Sequence, residues 1–128
     1  FLAVSGSCHA ELPLVLEDGQ TERAAALIVV PDNAEPIALY AAEDLAWHVE
    51  QATGVRLSIL PEAKSKTAQQ SRVYLGATKA AAKNGIDVNA MAAEECVLRT
   101  VGDDLFIVGK DGPGDPLSIG HTYSGTLW

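Results

Sequence analysis

Apolar residues fall along this 128-residue chain in short runs separated by turn signals. The first run, Leu12–Leu16, leads into Glu17-Asp18-Gly19, and Asp-Gly is a strong turn signal. A second, aliphatic run, Ala25–Val30, is closed by Pro31. Both read as strands, joined by a polar connection through Thr21-Glu22-Arg23.

The period then changes. In "EPIALYAAEDLAWHVEQATG", Ala38, Ala42, Leu45, Val49 and Ala52 recur at helical spacing and form one stripe. Pro36 suits a first turn, the acids Glu35, Glu43 and Asp44 suit the N-terminal half, and Gly54 suits a left-handed cap. Tyr40, Asp44, Trp47 and Gln51 lie on a different face. "VRLSILP" alternates as a strand, with Val55, Leu57 and Ile59 on one side. "EAKSKTAQQS" reads as an exposed loop, "RVYLG" as a short buried strand, and "ATKAAAKNG" as a short helix ended by Asn84-Gly85. "IDVNAMAAEE" is irregular. "CVLRTVGDDLFIVG" is the clearest hairpin, turning at Gly102-Asp103-Asp104, and a long Gly/Pro loop, "KDGPGDPLSIGHTYSG", follows. The order predicts an α/β sandwich: one mixed sheet with a long helix and a short helix packed on a face. Residues 11–128 read as one domain, without internal repeats.

Composition narrows the functions. A net charge of −8 repels phosphate backbones, and the nine lysines and arginines are scattered, so nucleic-acid binding is disfavoured. No stretch is long and apolar enough to span a bilayer. Phe1–Ala10, "FLAVSGSCHA", resembles the tail of a secretory signal with a small-residue cleavage site, which predicts export. Cys8 as a lipoprotein anchor and an ordinary first strand are the alternatives. Two distant cysteines, Cys8 and Cys96, make neither a disulfide framework nor a zinc site, and Cys96 reads as a small core residue in a strand.

The chemistry-bearing residues form no familiar constellation. No nucleophile elbow, phosphate loop or dinucleotide fingerprint occurs. His9, His48 and His121 are far apart and lack ligand spacing; His48 reads as a partly buried, hydrogen-bonded side chain and His121 as a loop residue. Asp111 and Asp115 flank glycines but lack the further oxygens of a calcium loop, so they read as a structural turn. Asp103 and Asp104, neighbours on a hairpin tip, point apart and do not make a glycosidase carboxylate pair. No catalytic residue, cofactor or metal ligand is assigned.

A resemblance adds to this reading. "IVVPDNAEPIALYAAEDLAWHVEQATGVRLSIL", above all "AAEDL…HVEQATGVRL", resembles the strand–helix–strand opening of the accessory α/β domain that precedes the catalytic barrel in β-hexosaminidases and α-glucuronidases. "RVYLGAT" resembles that domain's next strand, "ECVLRTVGDDLFIVGKD" its hairpin, and "SGTLW" the start of its second long helix. The likeness runs from Leu12 to Trp128, although the Gly109–Gly125 loop is longer than the corresponding connection. It implies a non-catalytic accessory domain of an exported bacterial glycoside-hydrolase-like protein, with the chemistry in a following barrel. The partner is then the chain's own catalytic domain, and Tyr40, Trp47 and Trp128 are the candidate interface residues. Two readings of Tyr40 and Trp47 stand: they dock that domain, or they cover their own helix.

The resemblance also implies that a helix begins at Trp128 and covers the sheet beside the Ala38–Ala52 stripe. Burying about four large apolar side chains contributes about 6–12 kcal/mol, comparable with a whole domain's net stability. Without that helix, the chain is expected to dimerise or to fold Phe1–Val4 or Leu127-Trp128 over the bare surface. The competing function is a stand-alone carbohydrate-binding module using Trp47, Tyr40, Trp128, Tyr123 and the Asp111–Asp115 loop. A small self-contained enzyme is the third.

Overall fold

The computed structural model describes residues 14–18, 21–118 and 125–127. Among these residues seven strands form two sheets: β1 (Val15–Asp18) and β2 (Thr21–Ala24) make an antiparallel hairpin, while β3 (Ala26–Val30), β4 (Ile59–Pro61), β5 (Ser71–Leu75), β6 (Cys96–Val101) and β7 (Asp104–Gly109) make a five-stranded sheet. Its order is β4-β3-β5-β7-β6. The first four in that order run parallel, and β6 is an antiparallel edge strand paired with β7. The α/β class with a mixed sheet is therefore as the sequence predicts.

The polar stretch Thr21–Ala24 is itself a strand. Asp18 pairs with Thr21, so the Asp-Gly signal closes a hairpin between β1 and β2 rather than leading into a loose connection. Its residues Leu14, Val15 and Ala24 pack against the main core.

Helix α1 (Pro36–Thr53) connects β3 to the parallel neighbour β4, as parallel pairing requires. Pro36 supplies the preset first turn, and Gly54, at φ 79°, ends the helix in the left-handed region. Thr53 Oγ1 donates back to Val49 O at 2.7 Å, and Arg56 pairs with Glu43 and Glu50 across the outside of the last turns. The buried side of α1 comprises Ile37, Ala38, Ala41, Ala42, Ala46 and Val49. Relative to the expected stripe, Leu45 is half-buried and Ala52 exposed. Small residues dominate because the helix lies close on the sheet, over Ile28, Val30, Val73 and Leu75.

Alternation along the strands sends the next residues to the opposite face. There Phe106 and Val108 pack with Ala81 of α2 (Lys79–Lys83), with Ile86, and with Met91. Tyr74 stacks on Phe106, ring centroids 4.7 Å apart. The two helices thus lie on opposite faces of one sheet, not on a single face as the sequence predicts, because alternate residues of the central strands are apolar on both sides. The "irregular" Ile86–Met91 stretch belongs to this second core, through a 3₁₀ turn at Val88–Ala90.

The segment expected to be an exposed loop is also tied down. It opens with a 3₁₀ turn, Glu62–Lys64, and Ser65 is buried. Arg72 donates to Ser65 O at 3.1 Å and to Ala68 O at 2.7 Å. Ser65, Ala68 and Arg72 are polar or small, which hid this anchoring from a hydrophobic-pattern reading. Strand β4 is also shorter than expected: Val55–Ser58 is not strand, although Leu57 is buried and Ser58 O accepts from Ile28 N at 2.8 Å.

Candidate functional site

In open α/β sheets, ligand sites lie outside the carboxyl ends of the strands where neighbouring connections diverge. Here β3 leads away through α1 on one face and β5 through α2 on the other. A crevice of about 280 Å³ opens there, lined by the segments that follow β3 (Pro31, Asn33, Glu35), β5 (Ala77) and β7 (Lys110, Asp111), together with Asn89.

Two of its polar side chains have structural tasks. Lys110 Nζ donates to Met91 O at 3.1 Å. Asp111 Oδ1 accepts from Thr126 N at 2.8 Å. Burial pushes the Asp111 carboxyl above its ordinary range; the Thr126 hydrogen bonds pull it back, and the charge of Glu35 pushes it up again. Asn33, Asn89 and Glu35 offer amide and carboxylate groups at the rim. Just outside, Asp32 accepts from Ala63 N at 2.8 Å and from Lys79 Nζ at 3.3 Å. The Ala63 bond, with the Lys79 ammonium adding to it, holds the Asp32 carboxyl below its ordinary value.

A second concavity lies on the α1 face of the sheet. It measures about 290 Å³, and Leu45 and His48 of α1 face Leu98 of β6 and Ile107 of β7 across it, with Leu127 at one end. Leu98 pairs with Ile107 across the β6–β7 ladder, so both side chains share that face. Leu98 is 72 % exposed, the most exposed of the large apolar residues described. Among the described residues, α1 covers β3 and β5 but not β6, which leaves Leu98 exposed.

Gly125–Leu127 bends onto the upper end of this strip. Gly109 N donates to Thr126 Oγ1 at 3.0 Å, and Gly125 N donates to Lys110 O at 3.3 Å. The approach requires two glycines. A Cβ at Gly109 would lie 2.0 Å from Gly125 C, and one at Gly125 would lie 2.6 Å from Glu95 O.

The sequence-predicted residues divide as follows. Tyr40 and Trp47 sit on the outer side of α1, 38 % and 50 % exposed, away from both concavities. Trp47 meets the His48 ring edge-on with centroids 4.8 Å apart. Trp128, Tyr123, His9, His121, Cys8 and the Phe1–Ala10 segment lie outside the described residues. His48 is exposed rather than partly buried, although its Nδ1 lies 2.8 Å from Asp44 O. Cys96 is exposed, not a core residue, because β6 is an edge strand and its α1-side face is uncovered. Asp104 is not free in water: its Oδ1 accepts from Arg72 N at 2.9 Å, while Asp103 stays exposed at the tip. Asp115 acts in a turn, accepting from Leu117 N at 2.9 Å, whereas Asp111 is not a turn residue: it sits at a bridge position and its carboxylate ties the strand end to Thr126. Among the described residues, no group of three or more His, Cys, Asp or Glu side chains could hold a metal ion, and no helix is long and apolar enough to cross a membrane.

Sequence reasoning missed both the crevice and the Leu98 strip. Each is assembled from strand ends or neighbouring strands that are distant in the chain, and only the strand order brings them together. Comparison with known proteins found no matching family model, no matching curated protein and no matching solved structure.

Proposed function

We propose that this chain is a non-catalytic accessory α/β domain of an exported glycoside-hydrolase-like protein, packing against and supporting a catalytic barrel. The observation that carries the reading is the apolar strip Leu45–Leu98–Ile107, left open beside α1 with Leu127 already turned onto its end. A helix laid parallel to α1 would close that face and complete the sandwich. Each Leu or Ile buried in this way contributes about 1.5–3 kcal/mol. The strip accounts for the "SGTLW" likeness: Gly125 and Thr126 lock the chain to the end of β7, and Leu127 starts the covering element. The structural bonds made by Lys110, Asp111 and Asp104 fit a supporting domain, since these side chains tie backbone groups of separate segments together.

The test compares the 1–128 chain with the same chain extended by its own downstream coding sequence. The extended protein is expected to melt several degrees higher and to shield Leu98 from solvent labelling. Equal melting temperatures with an equally labelled Leu98 would overturn the reading.

The crevice favours one second reading, a carbohydrate-binding module. Amide and carboxylate groups of Asn33, Asn89, Glu35 and Asp111 are suited to sugar hydroxyls. The aromatic platforms expected for it, Tyr40 and Trp47, do not line the crevice. Calorimetric titration with chitin, xylan and pectin fragments discriminates: a saturable heat abolished by Asn89→Ala supports the module, and no heat removes it.

A further inference from the structure

The sheet has two edges, and they are unequal. Strand β4 is 3 residues long and ends in Pro61, which lacks a donor. Strand β6 is 6 residues long, reads Cys96-Val97-Leu98-Arg99-Thr100-Val101, and is exposed along nearly its whole length. It carries a single charge, and no described strand pairs with its outer side.

The hydrogen-bond register shows which groups that side presents. Opposed residues of an antiparallel ladder alternate between bonded and non-bonded pairs. Lys110 N donates to Glu95 O at 3.0 Å, one step beyond the Cys96–Gly109 pair, so Glu95–Lys110 is a bonded pair. Two further contacts agree. Gly109, opposite Cys96, donates instead to Thr126 Oγ1, and Ile107, opposite Leu98, gives its carbonyl to Gly76 N at 3.0 Å. Val97, Arg99 and Val101 are therefore bonded to β7. The N–H and C=O groups of Cys96, Leu98 and Thr100 point to the free edge.

We propose that this edge pairs with β6 of a second copy of the chain, antiparallel about a two-fold axis at Leu98, joining the two sheets into one. The two-fold requires that opposed residues share a face. That condition leaves registers centred on a residue, and the two nearest the middle of the strand, which pair most of its length, are Leu98 opposite Leu98 and Arg99 opposite Arg99. Like charges directly opposed are unfavourable. In the Leu98 register, Arg99 meets Val97 and Cys96 meets Thr100, and the outward-pointing groups of Cys96, Leu98 and Thr100 all find partners. The most exposed large apolar residue, Leu98, then lies against its own copy, with Cβ atoms about 4.5–5.5 Å apart. This pairing uses the edge of the sheet and leaves its apolar face free for a covering helix, so it does not depend on the accessory-domain reading. The net charge of −8 per chain opposes association, so added salt favours the dimer.

Sedimentation of the 1–128 chain across a concentration series, with three variants, tests the pairing. The expected result is a concentration-dependent dimer that strengthens with salt and is lost in Leu98→Lys. That variant places two ammonium groups opposite each other at a position whose exposure leaves the monomer folded, which circular dichroism verifies. Cross-linking fixes the register. In a Cys8→Ser background, Thr100→Cys is expected to form a disulfide with Cys96 of the other copy under mild oxidation, because bonded pairs hold Cα atoms about 5.5 Å apart, within disulfide reach. Val101→Cys, whose groups face β7, is expected not to. A monomer at millimolar concentration overturns the proposal. So does a dimer that survives Leu98→Lys or cross-links equally through Val101→Cys, which places the contact elsewhere.

Discussion

Glu62 Oε1 accepts the backbone N–H of Ala80 at 2.7 Å, and Glu62 Oε2 accepts that of Lys79 at 2.9 Å. One carboxylate thus satisfies two of the free donors at the start of α2 from a turn on another strand's connection. Thr78 Oγ1 adds a third by accepting from Ala81 N at 3.1 Å. Helix α2 has only 5 residues, far too few to persist without such support. Its Ala81 holds the second core against Phe106 and Val108.

Removing that carboxylate is expected to be felt beyond the helix. Glu62→Ala should cost about 1–2 kcal/mol, the range for a lost cap that leaves donors unsatisfied. Urea denaturation measures it. Amide exchange should speed up at Lys79 and Ala80 first. Unchanged stability and exchange would remove the capping role.

The glycine contact at the end of β7 makes a second prediction. Gly109→Ala drives a Cβ into the backbone of Gly125, which cannot swing aside as a side chain would. The expected loss is about 1–3 kcal/mol, with Gly125–Leu127 displaced from the strip. Exposure of Leu127 to solvent labelling reports the displacement. Gly109 has no positive φ, so its loss is that of the clash alone, whereas Gly85→Ala, where a Cβ meets nothing within 4 Å, isolates the cost of a φ of 77°.

Two aspartates make stability depend on pH in opposite senses. The Asp32 carboxyl is lowered in the fold, so its contribution is present above the ordinary value of 3.8 and is lost as pH falls through the lower folded value. The melting difference between wild type and Asp32→Asn is therefore expected at neutral pH and should vanish in acid. Asp111 is raised, so its favourable contribution is complete below 3.8 and is lost as pH climbs through the higher folded value. Asp111→Asn keeps an acceptor for Thr126 N and removes the buried charge, and it should match or exceed wild type at neutral pH. Melting curves across acid and neutral pH check both signs.

The outer aromatics of α1 are expected to matter little to the 1–128 chain. Trp47 is half exposed, so Trp47→Ala should change its stability by about 0.5 kcal/mol or less. In a longer protein carrying the proposed catalytic domain, loss of association with that domain on Trp47→Ala would assign Trp47 to docking. A large loss of stability in the 1–128 chain would show that it covers its own helix.

The sequence made some features legible and hid others for physical reasons. Helix α1 was readable because Pro36 and Gly54 mark its ends and its apolar residues repeat at helical spacing. The β6–β7 hairpin was readable from its turn, where Gly102 adopts φ 59°. What was hidden depends on strand order. Val97 and Cys96 look equally core-like in sequence, yet only Val97 faces α2's layer, because β6 proves to be an edge. The Thr21–Ala24 strand was hidden by its polar residues. The anchoring of the Glu62–Ala68 segment was hidden because Arg72 and Glu62 act through single long side chains rather than through a periodic stripe.

Reading the coding sequence beyond the Trp128 codon tests the central claim most directly. The account predicts an open frame that continues through an amphipathic helix, long enough to cover Leu98 and Ile107, into a region of barrel size, about 250 residues. A stop codon immediately after Trp128 would contradict it, leaving the Leu98 strip without a covering helix from its own chain and the accessory-domain reading without a partner.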